Sequence, residues 1–445
     1  MISFIKKFCC LLICFLCADV CHAQHKTIDQ RVDSVLHLMT LKEKVGQLNQ
    51  YTGDWSFTGP ITKDNDKAAQ IKNGELGSML NVTGVEHTRD LQQYAMQSRL
   101  KIPLLFGQDV IHGFRTTFPI PLAEACSWDL QAIEQSERIA ATEASAAGVH
   151  WIFAPMVDIA RDPRWGRVME GAGEDTYLGS LIAAARIKGF QGNGLGNTDA
   201  VMACVKHFAG YGAAVGGRDY NSVDMSLRQL YETYLPPFKA AVDAGVATVM
   251  NSFNDLNGVP ATGNKFLQRD ILKGKWNFKG FVVSDWGSIG EMINHGYAAN
   301  SYDAAFKAIT AGSDMDMESR CYKGNLEQLV KDDKIKVELI DDAVRRILKK
   351  KFELGLFDDP FKFCNEQRQR EQWSRPEYLQ AEKVMAEKSI VLLKNDLTNS
   401  PLLGMRGLLP LSKQTKTIAV IGPFVKAVKD NLGFWSMEWD DDSSR

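Results

Sequence analysis

Lys279-Gly280-Phe281-Val282-Val283-Ser284-Asp285-Trp286-Gly287 is an apolar run that ends abruptly in a carboxylate. Phe281, Val282 and Val283 have the β-branched and aromatic character of a strand covered on both faces, and the two glycines punctuate its ends. Such a strand stops at about Trp286 and delivers Asp285 to its C-terminal end. An isolated Asp there is most often a turn former that accepts bonds from the next backbone amides. Its meaning therefore depends on what the neighbouring strands deliver.

Outward from this run the same rhythm recurs: a short apolar segment, a polar or Gly-rich junction, then a longer helical stretch. That alternation predicts parallel strands linked by helices. The candidate strands are Gly77–Asn81, Ile102–Phe106, Trp151–Val157, Ala200–Val205, Ala247–Ser252, Gly280–Ser284 and a weaker one at Asp314–Met317, seven where a closed barrel wants eight. Helix punctuation fits between them. Asp129 is placed to cap Leu130–Ala147, Ser226-x-x-Gln229 has capping-box form before a helix ending near Gly245, and another helix runs from Ser301 to Gly312. Leu339, Ile340, Val344, Ile347, Leu348 and Phe352 form an amphipathic face that stops at Gly355. Before the barrel, Ile28–Gln50 carries a helical stripe with Thr40 placed to cap a second helix, and Asp54–Gln70 reads as loop.

The polar residues fall immediately after the candidate strands: Asp109, Asp158 with Arg161, Lys206-His207, Asn254, Asp285 and Asp316. Strand C-terminal ends of a barrel open on one face, so these groups are predicted to surround one pocket. Arg161-Asp162-Pro163-Arg164-Trp165-Gly166-Arg167 packs three guanidinium groups into seven residues. Internal Arg-Asp pairing accounts for Arg164 and Arg167 as readily as a ligand does, whereas Arg161 is nearest the strand end. A buried Lys206 is costly without a partner, which favours a polar pocket there.

The chain of 445 residues suits one large barrel plus something more; 45% apolar and 24% charged residues are ordinary globular values. A formal net charge of −2 gives no bias toward nucleic acid. Met1–Ala23, with Lys6 and Lys7 before an apolar core, reads as an export signal too short to span a bilayer. Five of the nine cysteines lie in it, and Cys126, Cys204, Cys321 and Cys364 make no disulfide framework. No H-E-x-x-H or paired-Cys spacing supports a metal, no Gly-rich loop follows a strand to cradle a phosphate, and no G-x-S-x-G elbow is present. No cofactor is predicted, and the oligomeric state stays open.

These residues resemble glycoside hydrolase family 3, and within it the exported bacterial β-glucosidases. The resemblance is carried in order by Gly107 to Gly113 (G-Q-D-V-I-H-G), Phe153-Ala154-Pro155 through Arg167, Val205-Lys206-His207-Phe208, Val249 to Asn254 (V-M-N-S-F-N) and Val283-Ser284-Asp285-Trp286. It implies an α/β protein: a (β/α)8-type TIM-like barrel followed by the incomplete start of a second α/β sandwich domain. The corresponding division is an export signal at 1–23, a barrel at 24–360, a linker and helix at 361–400, and the start of a truncated second domain at 401–445, with Thr417–Pro423 as an opening strand. It places Asp285 at the nucleophile position, Asp109, Arg161, Lys206 and His207 where the family binds sugar hydroxyls, and Met250 and Trp286 on the apolar wall. The implied reaction is retaining removal of a terminal β-linked glucose or xylose from an oligosaccharide or aryl β-glycoside, outside the cytoplasm. Two carboxyl groups about 5 to 5.5 Å apart carry such a double displacement. The family's N-acetylglucosaminidase branch places an Asp-His pair in the loop after the Lys-His strand; here Ala209 to Tyr220 contains no His. In the β-glucosidase branch the acid comes from the second domain, so the resemblance implies that the acid/base is absent from this chain. The alternative is a catalytically silent sugar-binding fragment.

Overall fold

The computed structural model describes residues 26–437 apart from 55–57, 59, 63–65, 374, 401–403 and 428. The expected export segment at 1–23 and the residues from 438 onward lie outside the described residues. Eight parallel strands form the central sheet: β1 Asn49–Thr52, β2 Ser78–Leu80, β3 Leu105–Gln108, β4 Trp151–Ile152, β5 Met202–Phe208, β6 Thr248–Asn251, β7 Phe281–Val283 and β8 Asp316–Met317. Their order is β8-β1-β2-β3-β4-β5-β6-β7. A parallel bridge between Val283 and Met315 closes the ring. This is the expected (β/α)8 barrel, with helices packed outside.

The strand missing from the sequence reading is β1. The stripe expected over Ile28–Gln50 divides into helices Ile28–Leu38 and Leu41–Gln47, each opened by a threonine capping box. Its last residues then become a strand. Asn49 and Gln50 are buried, with Asn49 donating to the Val45 carbonyl at 2.8 Å and Gln50 donating to Ser78 Oγ at 2.7 Å. Two consecutive buried polar side chains, each with its amide nitrogen bonded, leave no apolar alternation for a pattern to register. Two further expectations shift: Trp151–Val157 keeps only its first two residues as strand, and β5 runs on through Phe208, so Lys206 and His207 lie within a strand rather than after it.

Helix ends follow the sequence closely. Asp129 accepts from the Ala132 N–H ahead of Leu130–Ala146, and Ser226 accepts from Gln229. The apolar face centred on Ile340 to Phe352 belongs to helix Val337–Glu353, buried against the barrel. Inside the barrel, Trp151 meets Phe153 and Phe281 edge-on at 4.8 and 5.0 Å between ring centres and donates its indole N–H to Thr248 Oγ1 at 2.7 Å. A Cβ on Gly280 would sit 1.9 Å from the Ala247 carbonyl, so only glycine lets β7 begin this close to the chain entering β6. Outside, Arg186 is buried between helices Leu130–Ala146 and Thr176–Gln191, donating to Glu137 at 2.6 Å and to Glu124 at 2.7 Å.

After the barrel, helix Pro376–Lys388 is followed by an extended segment and a small antiparallel pair, Thr398–Ser400 with Gly404–Arg406. The opening strand expected at Thr417–Pro423 is not formed: these residues pair with nothing in a sheet, and Ile418, Val420 and Ile421 are exposed. A strand needs a partner for its backbone edges, and none lies alongside. The last described residues return to the barrel, where Met437 is buried against the core.

Candidate active site

A cavity of about 210 Å³ opens at the C-terminal ends of the strands. Asp109, Lys206, His207, Met250, Asp285 and Trp286, six of the seven residues singled out from the sequence, line it. Arg161 does not. Residues 153–160 are buried, and the chain then turns outward so that Arg161 is exposed, with its charge felt by Tyr234 rather than by the cavity. The loop is pinned again at Trp165, which is buried and donates its indole N–H to Asp219 at 2.9 Å. Arg167, two residues on, is the guanidinium that enters the cavity. Arg164 pairs with Asp162 on the surface at 2.6 Å, the local pairing weighed above.

Asp285 follows β7 directly. The Ser284 N–H donates to the Met315 carbonyl, and Gly287, with φ of 67°, turns the chain into helix Ser288–Asn294. Asp285 Oδ1 accepts the Trp286 N–H at 2.6 Å, while Oδ2 has no hydrogen-bond partner among the described residues. Burial pushes this carboxyl up to about 6, opposed by Arg167, Lys206 and the Trp286 N–H. It is therefore mostly ionised at neutral pH.

Lys206 and His207 are consecutive yet both reach the cavity. A regular strand would send them to opposite faces. The register of β5 against β6 shifts between Val205 and Phe208, and that irregularity re-aims the pair. Lys206 Nζ donates to Asp109 Oδ1 at 2.9 Å. His207 is held from behind: Asp158 Oδ2 accepts its backbone N–H at 2.9 Å and lies 2.8 Å from Nδ1. Nε2 faces Arg167 Nη2 at 3.2 Å and Asp285 Oδ2 at 3.4 Å. Burial, with Arg167 and Lys206 adding to it, holds His207 well below its ordinary range. The ring is neutral, so its approach to Asp285 is a polar contact rather than an ion pair. The tautomer that suits both sides carries its proton on Nδ1, and Nε2 accepts from Arg167. Burial likewise pushes Asp158 up to about 8.

Arg167 is fixed by a two-pronged pair with buried Glu170, at 2.7 and 2.9 Å. Of the other polar groups expected around the pocket, Asp158 lies behind His207. Asp316 is spent on the Ser319 and Tyr322 N–H groups, and Asn254 on Ser252 and the Asp255 carbonyl. The sequence reading did not single out Glu291, Tyr220 or Trp435, which also line the cavity. Glu291 is six residues past Asp285 on the next helix, a spacing that only the turn at Gly287 brings back to the cavity. Trp435 forms the roof. Lys206 Nζ sits 5.6 Å from its ring centre, and the neighbouring Phe434 carbonyl is 2.5 Å from His112 Nε2.

The fold and cavity define a parallel (β/α)8-barrel protein with the buried Asp285 carboxylate framed by Arg167, Lys206 and His207. Residues 40–350 match the Glycosyl hydrolase family 3 N terminal domain, and the chain belongs to that family. It is 42% identical over 415 residues to a Salmonella typhimurium protein called periplasmic beta-glucosidase, covering 92% of this chain and 52% of the relative. It is 35% identical over 420 residues to a putative beta-xylosidase of Formosa agariphila, covering 90% of this chain and 54% of that one. The crystal structure of beta-glucosidase from Listeria innocua in complex with isofagomine superposes with a TM-score of 0.79 at 41% identity, covering 84% of this chain and 52% of the other. The chain thus spans about half the length of these relatives.

Proposed function

We propose that this chain carries the glycone site of a retaining glycoside hydrolase that removes a terminal β-linked glucose or xylose, with Asp285 as nucleophile. The observation that carries this reading is the arrangement around Asp285 Oδ2: one buried, ionised, unpartnered oxygen, with His207 Nε2 at 3.4 Å and the Lys206–Asp109 pair in the same cavity. A sugar ring offers hydroxyls that both donate and accept, and Asp109, Lys206 and His207 supply the complementary groups. Met250 and Trp286 give its C–H faces an apolar wall. In the first step an Asp285 oxygen bonds to the anomeric carbon as the glycosidic C–O bond breaks; in the second, water displaces Asp285 from that carbon.

The periplasmic relative and the lysine-flanked apolar leader favour action outside the cytoplasm; among the described residues no helix is long and apolar enough to cross a membrane. The division into a barrel to about 360, a linker and helix to 400, and the start of a second α/β unit from 401 belongs to the same proposal. Incubation with 2,4-dinitrophenyl 2-deoxy-2-fluoro-β-glucoside, followed by peptide mass spectrometry, tests it. A stable fluoroglucosyl ester on Asp285 is expected. Glucose binding by calorimetry with no labelling would instead identify a silent sugar-binding fragment.

A further inference from the structure

A site that closes around one terminal sugar must let the leaving group project through its opening. At about 210 Å³ the cavity is smaller than the pockets of roughly 300 to 1,000 Å³ that take drug-sized ligands, so it suits one sugar ring and little more. Its floor is deep, with Lys206, His207 and Asp285 only 2%, 1% and 8% exposed. Among the described lining residues only Pro60 and Tyr220 are exposed, Tyr220 at 54%, and they mark the opening.

Tyr220 is fixed there by the loop that carries it. The Val215 N–H donates to the Ser222 carbonyl at 3.2 Å, Val223 to the Asp255 carbonyl at 3.0 Å, and Asn257 back to the Val223 carbonyl at 2.8 Å. Asp219, the residue before, accepts the Trp165 indole N–H. At Tyr220 itself φ is 59°, a left-handed conformation that bulky residues rarely adopt. Its ring meets Phe253 edge-on at 4.8 Å between centres, and Phe253 belongs to a buried cluster on which Trp286 packs. An apolar strip thus runs from Tyr220 through Phe253 to Trp286. An exposed tyrosine alone needs no explanation. One held in a strained conformation at the lip of a site does.

We infer that Tyr220 is the leaving-group platform of this site and that it selects a planar aromatic aglycone, as in a phenolic β-glycoside, over a second sugar. This deepens the proposed function and rests on its placement of the sugar ring in the cavity. Burial and then the Asp219 charge push the Tyr220 phenol above its ordinary range, and Asp285 adds to the push while Arg167 opposes it, so the ring stands close to the reacting carboxyl. A flat ring projecting from the floor lies against Tyr220, with Phe253 and Trp286 continuing the apolar surface. A second sugar would bring several hydroxyls to the same strip and strip them of water. The charged groups beside it are already engaged, Asp219 by Trp165 and Arg167 by Glu170.

The test reads binding by the full chain, so it does not depend on turnover. Dissociation constants are measured by calorimetry for phenyl 1-thio-β-glucoside, methyl 1-thio-β-glucoside and thiocellobiose, whose sulfur linkages resist hydrolysis. The parent chain is expected to prefer the phenyl over the methyl compound by roughly tenfold or more. Tyr220→Asn, which suits the left-handed backbone but has no ring, should cut that preference by roughly two- to twelvefold, and Tyr220→Phe should keep it. The preference for thiocellobiose over the methyl compound should change less. Equal affinity for phenyl and methyl compounds in the parent chain would overturn the inference. So would a phenyl preference that survives Tyr220→Asn, or a thiocellobiose preference that falls as far as the phenyl one. A chain that shows the expected phenyl preference yet forms no fluoroglucosyl ester on Asp285 would lose the nucleophile reading and keep this one; a chain that binds none of the three compounds would lose both.

Discussion

Arg167 offers the sharpest single test of how the site keeps Asp285 ionised. His207 Nε2 lies 3.2 Å from the Arg167 guanidinium and 3.4 Å from Asp285 Oδ2. The two charges are therefore within roughly 7 Å, worth about 2 kcal/mol at an effective dielectric near 20, or between one and two pKa units. Removing the guanidinium takes away a positive charge that holds the Asp285 carboxyl down, so its pKa is expected to rise from about 6 to roughly 7 to 8. If Asp285 is the nucleophile proposed above, it must be ionised to attack, so activity is expected to be lost at the acid end and retained at the alkaline end. Arg167→Met alone would also strand buried Glu170, so the variant to make is Arg167→Met with Glu170→Gln. The assay is the rate of labelling by the activated fluoroglucoside against pH, which reports the nucleophile without needing an acid. At pH 6 the parent chain should label at about half its plateau rate and the double variant at roughly a tenth to a hundredth of its own. An acid limb that stays near pH 6 in the variant, with the protein still folded by circular dichroism, would refute the electrostatic account.

Asp285→Asn should lower turnover of aryl glucosides by on the order of 10⁴- to 10⁶-fold while leaving glucose binding measurable by calorimetry. Arg161→Ala should leave kcat/KM within about twofold, since an exposed side chain outside the cavity contributes little; a large loss would return Arg161 to the site. Arg186→Met should destabilise the fold by about 3 to 5 kcal/mol, because Glu124 and Glu137 would be left buried and unpaired. Urea titration would read that loss, and an unchanged midpoint would show the carboxyls neutral and content without their cation.

The barrel was legible because its strands are apolar runs closed by glycine and polar punctuation, and because the caps at Thr40, Asp129 and Ser226 are local chemistry. What escaped is what tertiary context decides. Asn49 and Gln50 open a strand with buried polar side chains that donate to Val45 and to Ser78 on the next strand. No local period marks it. Arg161 and Arg167 are chemically equal in sequence, and only the anchoring of Trp165 on Asp219 determines which one turns inward. The Lys206-His207 pair was visible, yet its use of two adjacent residues on one side depends on a shift in strand register. Glu291 was hidden by distance along the helix, and Trp435 by about 150 residues of intervening chain.

The roof of the cavity raises a separate consequence. Trp435 and Met437 reach the barrel after a stretch that leaves helix Pro376–Lys388 and along which Ile390, Leu393, Ile418, Ile421 and Phe424 are exposed. The roof is joined to the barrel through the chain, and covalent attachment gives a segment a local concentration on the order of millimolar. One protease cut in that stretch would remove the covalent link that holds Trp435 near the barrel. With that link gone, the cavity that Trp435 lines would be more open to water.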